Sequence, residues 1–161
     1  KQASAASNQM EQFSRKLNVK VLGLEEEENE ILREKILKVV KEVTKINLDN
    51  RDIVAVHRIP GRQGLPRPVI VKFWSLDCKL PIIKKRKDVK VKQSNVKVKQ
   101  SNGIRLVEDV TKMNTELINK LSRHQEIDSV WYFNGFVYGK NKSGKRIKFD
   151  IYDDIDEKIR V

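Results

Sequence analysis

Residues 52–73 read DIVAVHRIPGRQGLPRPVIVKF, two runs of alternating side chains separated by a stretch dense in Gly and Pro. Val, Ile and Phe at period two are the mark of half-buried strands, because successive side chains in an extended chain point to opposite faces. In the second run Val69, Val71 and Phe73 share one side, and Ile70 and Lys72 the other. The GRQGLPRP segment between the runs favours turns over ladder pairing, so it reads as an exposed loop.

Outward from this pair the pattern repeats on both sides. Upstream, NVKVLGL (residues 18–24) alternates again and is a strand. The acids Glu25 to Glu28 precede Asn29, a residue type that caps helices, and negative charge favours a helix amino end, so a helix is expected to start here with the acids as its solvated first turn. Ile31, Leu32, Ile36, Val39, Val40, Val43 and Ile46 then fall on one helical face. Downstream, Ser75 can cap a second helix running to Lys87, although Pro81 should kink it or delay its start, interior proline costing about 3 kcal/mol. The heptapeptide VKVKQSN then occurs twice in tandem (residues 89–102), too few copies for a solenoid; it is read as a basic β-hairpin or a flexible insertion. GIRLV (residues 103–107) supplies a closing strand. The resulting β-α-β-β-α-β order predicts one sheet covered on one face by two helices, an α+β architecture.

From Glu108 the pattern restarts. Asp109 or Thr111 can cap a helix with Val110, Met113, Leu117 and Leu121 on one face. In VWYFNGFVYG, Asn134-Gly135 sits between two aromatic-rich runs, a strong hairpin signal. A turn at Lys142 to Gly144 leads to a third strand, Arg146 to Phe149, and a tail helix is expected around Asp153 to Ile159. The division expected is residues 1–17 as the end of a helix or coiled coil, 18–107 as the β-α-β-β-α-β domain with an insertion at 89–102, and 108–161 as a small helix plus antiparallel meander. In the first of these, Met10, Phe13 and Leu17 stand at helical spacing, which suits the foot of a coiled coil or a frayed helix packing on its own domain.

The formal net charge is +12, enough to attract polyanions over long range, with nucleic acid ahead of acidic membrane. A single cysteine, Cys78, excludes an internal disulfide, and with His57 and His124 alone beside it there is no metal-ligand spacing. No metal and no cofactor is expected. No apolar run approaches bilayer length and the first residues lack the order of a signal peptide, so no membrane partner is expected and the setting is read as cytoplasmic, or nuclear where a basic run serves as an import peptide. Residue 1 is Lys, so the chain is read as a piece of a longer protein.

NVKVLGL, VAVHRIPGRQGLPRPVIVKF, IRLVEDVTK and WYFNGFVYGKNKSGKRIKF, in this order and at these separations, resemble the first-reading-frame proteins of LINE-type retrotransposons. His57-Arg58-Ile59-Pro60 followed by Pro66-Arg67-Pro68 and a strand ending in Lys72-Phe73 carries most of the likeness. The resemblance implies an upstream coiled coil that makes a homo-oligomer, a noncanonical domain like the RNA-recognition motif (RRM-like), and a C-terminal domain, together coating single-stranded RNA as a nucleic-acid chaperone. The tail from Ile104 is also similar to baculoviral few-polyhedra proteins, which implies a protein-interaction adaptor as the alternative. Where ordinary RNA-recognition motifs stack bases on exposed aromatics, this sequence has Lys20 and Ile70, so binding by that sheet would rest on phosphate contacts with little sequence preference.

Candidate nucleic-acid-binding residues follow from charge. Arg58, Arg62, Arg67 and Lys72 cluster around the two strands of the opening stretch, with Arg58 and Arg67 foremost because a guanidinium fork pairs with phosphate. Lys84, Lys85, Arg86 and Lys87, continued by Lys90, Lys92, Lys97 and Lys99, form the densest run, which serves equally as a solvated charged segment. Lys140, Lys142, Lys145, Arg146 and Lys148 ride on the meander. Trp131, Tyr132 and Phe133 can stack bases, although aromatics in a small meander more often form its core, and at most one is expected to be exposed. His57 reads as structural and Cys78 as a small buried residue. No nucleophile, base or carboxylate pair stands at a recognisable spacing, so no enzyme is expected. The partner expected is single-stranded RNA or DNA.

Overall fold

The computed structural model describes residues 1–95 and 103–160, with side chains described outside residues 87–102. The chain is an α+β protein that divides into two compact units, Leu17–Asp109 and Lys1–Lys16 together with Val110–Val161. The first helix, α1 (Gln2–Ser14), thus belongs with the C-terminal residues and does not stand apart as a separate segment.

The Leu17–Asp109 unit contains β1 (Asn18–Leu22), α2 (Leu32–Thr44), β2 (Ile53–Arg58), β3 (Val69–Phe73), α3 (Leu76–Asn95) and β4 (Arg105–Glu108). The sheet order is β2-β3-β1-β4 with every neighbouring pair antiparallel. Strand alternation sends Val19, Val21, Val69, Val71, Phe73 and Leu106 to one face, where they meet Ile36, Val39 and Val40 of α2 and Ile82 and Ile83 of α3 in one buried cluster. At about 25 cal/mol per Å² of apolar surface removed from water, this cluster is the main stabilising term of the unit.

Three expectations are corrected in this unit. The acids do not form the first turn of α2: Asn29 is left-handed (φ 58°), Ile31 is the residue before the helix and is exposed, and the helix starts at Leu32. Glu26 and Glu30 are instead drawn to arginines of the β2–β3 region. Pro81 does not delay the start of α3. Ser75 Oγ accepts from the Cys78 N–H at 3.3 Å, capping the helix as expected, and α3 runs through Pro81 into the first VKVKQSN copy. For that copy the β-hairpin reading fails. Extending a formed helix adds one hydrogen bond per residue fixed, whereas a new hairpin must first close its turn, so the period-two Val pattern yields to the helix already running. The second copy lies outside the described residues.

The other unit packs α1 with α4 (Lys112–Ser122), the meander β5 (Ile127–Phe133), β6 (Phe136–Asn141) and β7 (Arg146–Phe149), and α5 (Ile155–Arg160). Thr111 caps α4, its hydroxyl accepting from the Asn114 N–H at 3.1 Å. Leu117 and Leu121 enter a core with Ile127, Val137, Phe149 and Ile155, but Met113 is exposed and Asn114 is buried in its stead. The reason is α1, which buries polar groups: Asn8 Nδ2 donates to Asn114 Oδ1 (3.1 Å), the Thr111 hydroxyl donates to Asn8 Oδ1 (2.7 Å), and Gln12 Oε1 accepts from the Thr111 N–H and from Asn114 Nδ2 (both 2.9 Å). Gln12 Nε2 also donates to the Tyr132 hydroxyl at 3.2 Å. Met10 and Phe13 face outward on the opposite side of α1.

Candidate nucleic-acid interface

The meander is built on the turn Asn134-Gly135. Both residues have positive φ (50° and 95°), the geometry of a two-residue hairpin whose twist matches its strands, and Gly135 adopts it without a Cβ penalty. Register then sorts the side chains. Phe133 pairs with Phe136, Trp131 with Tyr138, which pairs on its other side with Lys148, and Ser129 with Lys140, which pairs on its other side with Arg146. These residues share one face, because steps of two along each strand keep the side. The opposite face, with Val137, Gly139 and Phe149, is buried in the unit's core together with Leu117 and Leu121 of α4.

The outer face is therefore a layer of aromatic rings and cations. Trp131 and Tyr138 lie nearly parallel (14°) with centroids 5.8 Å apart, the Arg146 guanidinium sits over the Trp131 ring at 5.9 Å, and Lys148 Nζ lies 4.3 Å from the centre of Phe136. Ring faces attract cations through their quadrupole, and this fixes both partners without neutralising the charge. Phe133 is 52% exposed at the tip. Lys140, Lys142, Arg146 and Lys148 are exposed and make no ion pair among the described residues; Asp128, at the bulge that opens β5, is the one carboxylate the three strands carry. Lys145 is exposed at the neighbouring turn. Of the three aromatics singled out in the sequence, Phe133 alone is largely exposed; Trp131 is half-buried and Tyr132 faces α1. Phe136 and Tyr138 were not foreseen as part of this face, although counting across the hairpin from Phe133 places both on it.

The basic cluster of the other unit has a different fate. Arg58 lies on the helix-covered side of β2, with its side chain 5% exposed. Its five N–H donors all have partners: Glu30 twice (2.9 Å each), the Leu24, Glu25 and Arg67 carbonyls at 2.6–2.9 Å. This leaves Arg58 no donor for phosphate. Arg58 holds the Glu30 carboxyl down to about 2 from its usual 4.5, against the opposing effect of burial. Arg67 is exposed but paired, with Nη2 2.7 Å from Glu26 Oε1, and that contact lowers the Glu26 carboxyl's affinity for protons. Lys35 completes the acidic cluster's partners at 2.9 Å from Glu30 and 3.0 Å from Glu27.

Of the remaining candidates, Arg62, Lys72, Lys84 and Lys85 are exposed and unpaired among the described residues. Arg86 is turned inward, donating to the Leu106 carbonyl at 3.0 Å, and burial lowers its pKa. Lys87, Lys90, Lys92, Lys97 and Lys99 have side chains outside the described residues. Lys20 and Ile70 are cross-strand neighbours on the sheet face away from the helices, as the alternation requires, but Ile70 is buried and not exposed.

No protein-family model matches this chain, and no curated protein matches it. Among the described residues no helix is long and apolar enough to cross a membrane, and no group of three or more His, Cys, Asp or Glu side chains could hold a metal.

Proposed function

We propose that this protein binds single-stranded nucleic acid, RNA foremost, with little sequence preference, through the outer face of the meander. The observation that carries this reading is the juxtaposition of Trp131, Phe133, Phe136 and Tyr138 with Lys140, Arg146 and Lys148 on one open sheet face. Bases have π-faces whatever their identity, so stacking at about 1–3 kcal/mol per base holds any sequence, and unstacked bases are offered by single strands. The cations beside the rings serve the phosphates.

The sheet order β2-β3-β1-β4 supports assigning the Leu17–Asp109 unit to an RRM-like domain, the fold that the resemblance to LINE-type first-reading-frame proteins implies. On that reading the protein coats or chaperones a retrotransposon's RNA, and a homo-oligomer forms through a coiled coil upstream of α1. The alternative, a protein-interaction adaptor of the few-polyhedra type, draws its support from the exposed Met10 and Phe13 on α1. Filter binding of short single-stranded RNA over a salt series separates the two. A nucleic-acid binder loses affinity with a log-log slope of about 0.7 per phosphate contacted. Absent binding, or binding indifferent to salt, eliminates the proposal and leaves the adaptor.

A further inference from the structure

We infer that Trp74 is a second base-stacking position, located on the Leu17–Asp109 unit and taking a nucleobase of the same single-stranded nucleic acid; this rests on the reading above. Trp74 directly follows β3, where the alternation that turns Ile70 and Lys72 away from the helices reaches its next outward place. Its backbone is held, the N–H donating to the Asp52 carbonyl at 2.8 Å, yet its ring is 71% exposed. A Trp left in water forgoes the stabilisation its large apolar surface would supply in a core, so a fixed backbone presenting an open ring is the arrangement of a contact surface.

The surrounding charge identifies the occupant. The ionic side chains at outward positions of the four strands are Lys20, Lys72 and Arg105, and no carboxylate shares those positions. Lys72 is exposed and unpaired. Two acids close to this end of the sheet are engaged: Asp109 is buried and accepts from Asn18 Nδ2 at 3.0 Å, and the Asp52 carboxylate accepts from the Asp49 N–H at 2.8 Å; Asp77, in the first turn of α3, is exposed. A ring beside a free cation suits a base and its phosphate. A folded protein partner suits it poorly, because Trp74 and the exposed Val54 are two side chains where a stable interface buries roughly 800 Å² of total surface per side.

The chain contains two tryptophans, Trp74 and Trp131, so each becomes the sole tryptophan emitter, excited selectively over the tyrosines, when the other is replaced by Phe. The full chain carrying Trp131→Phe is titrated with oligouridylate and, separately, with inorganic polyphosphate. Saturable quenching of Trp74 by oligouridylate but not by polyphosphate is expected, as is a roughly five- to hundredfold weaker affinity in Trp74→Ala. Trp74 emission unmoved at oligonucleotide saturation, while Trp131 in the Trp74→Phe protein is quenched, overturns this inference and leaves the meander interface standing. Quenching of Trp74 by polyphosphate to the same extent overturns stacking as its cause. No binding by either protein overturns the nucleic-acid reading and this inference together.

Discussion

Two basic clusters that look alike in sequence behave oppositely in the fold. Around β2 and β3, Arg58 and Arg67 are neutralised by Glu30 and Glu26 from the preceding loop; on the meander, Arg146 and Lys148 lie over aromatic rings and keep their charge. A carboxylate partner satisfies a guanidinium and cancels its field, whereas a ring orients a cation and leaves its field intact. Net charge counted along a chain is therefore not the charge a ligand meets. The first cluster fastens two loops together, and the second is available.

The sharpest test of this contrast is Arg58→Ala, which leaves Glu30 without its principal partner. Stability should fall by about 3–5 kcal/mol, read by urea denaturation, while RNA affinity of the folded protein stays unchanged; a loss of affinity with stability intact would reverse the assignment. Acid should act on the same contact. Glu30 is depressed from 4.5 to about 2 by Arg58, so its contribution is complete above about pH 4.5 and is lost as pH falls toward 2, amounting to about 3 kcal/mol in denaturation midpoints followed across that window. Next in size is Phe133→Ala, which should weaken single-stranded RNA binding by about 1–3 kcal/mol in filter assays with little change in melting temperature, since the ring is half in solvent already. Arg146→Ala combined with Lys148→Ala should lower the salt slope by about 1.4, two phosphate contacts' worth, for every RNA sequence alike. Smallest is Arg67→Ala, an exposed pair screened by solvent, whose loss should leave the urea denaturation midpoint nearly unchanged.

Much of the fold is written locally. The Asn134-Gly135 turn, the caps at Ser75 and Thr111 and the alternation of Val69, Val71 and Phe73 act over a few residues, and each is found where local chemistry puts it. The failures involve partners distant in sequence. Nothing near Glu25–Glu30 announces that its carboxylates will meet Arg58 and Arg67, some 28 to 41 residues on. One signal was present: Arg58 is two residues from Val56, so it shares that residue's face and was placed to turn inward. The first VKVKQSN copy misleads for another reason, since its β-like alternation is local and the helix that absorbs it starts at Leu76. The site was legible in part: the meander's cations were identified, but its aromatic half appears only when β5 and β6 are laid in register.

The helix α1 carries a thermodynamic consequence of its own. What it hides is amide and hydroxyl, through Asn8, Gln12, Thr111 and Asn114, and what it displays is the hydrocarbon of Met10 and Phe13. Exposing polar surface lowers the heat capacity of a protein where exposing apolar surface raises it. Release of α1 should thus leave almost no heat-capacity increment in a calorimeter, setting it apart from the melting of either core.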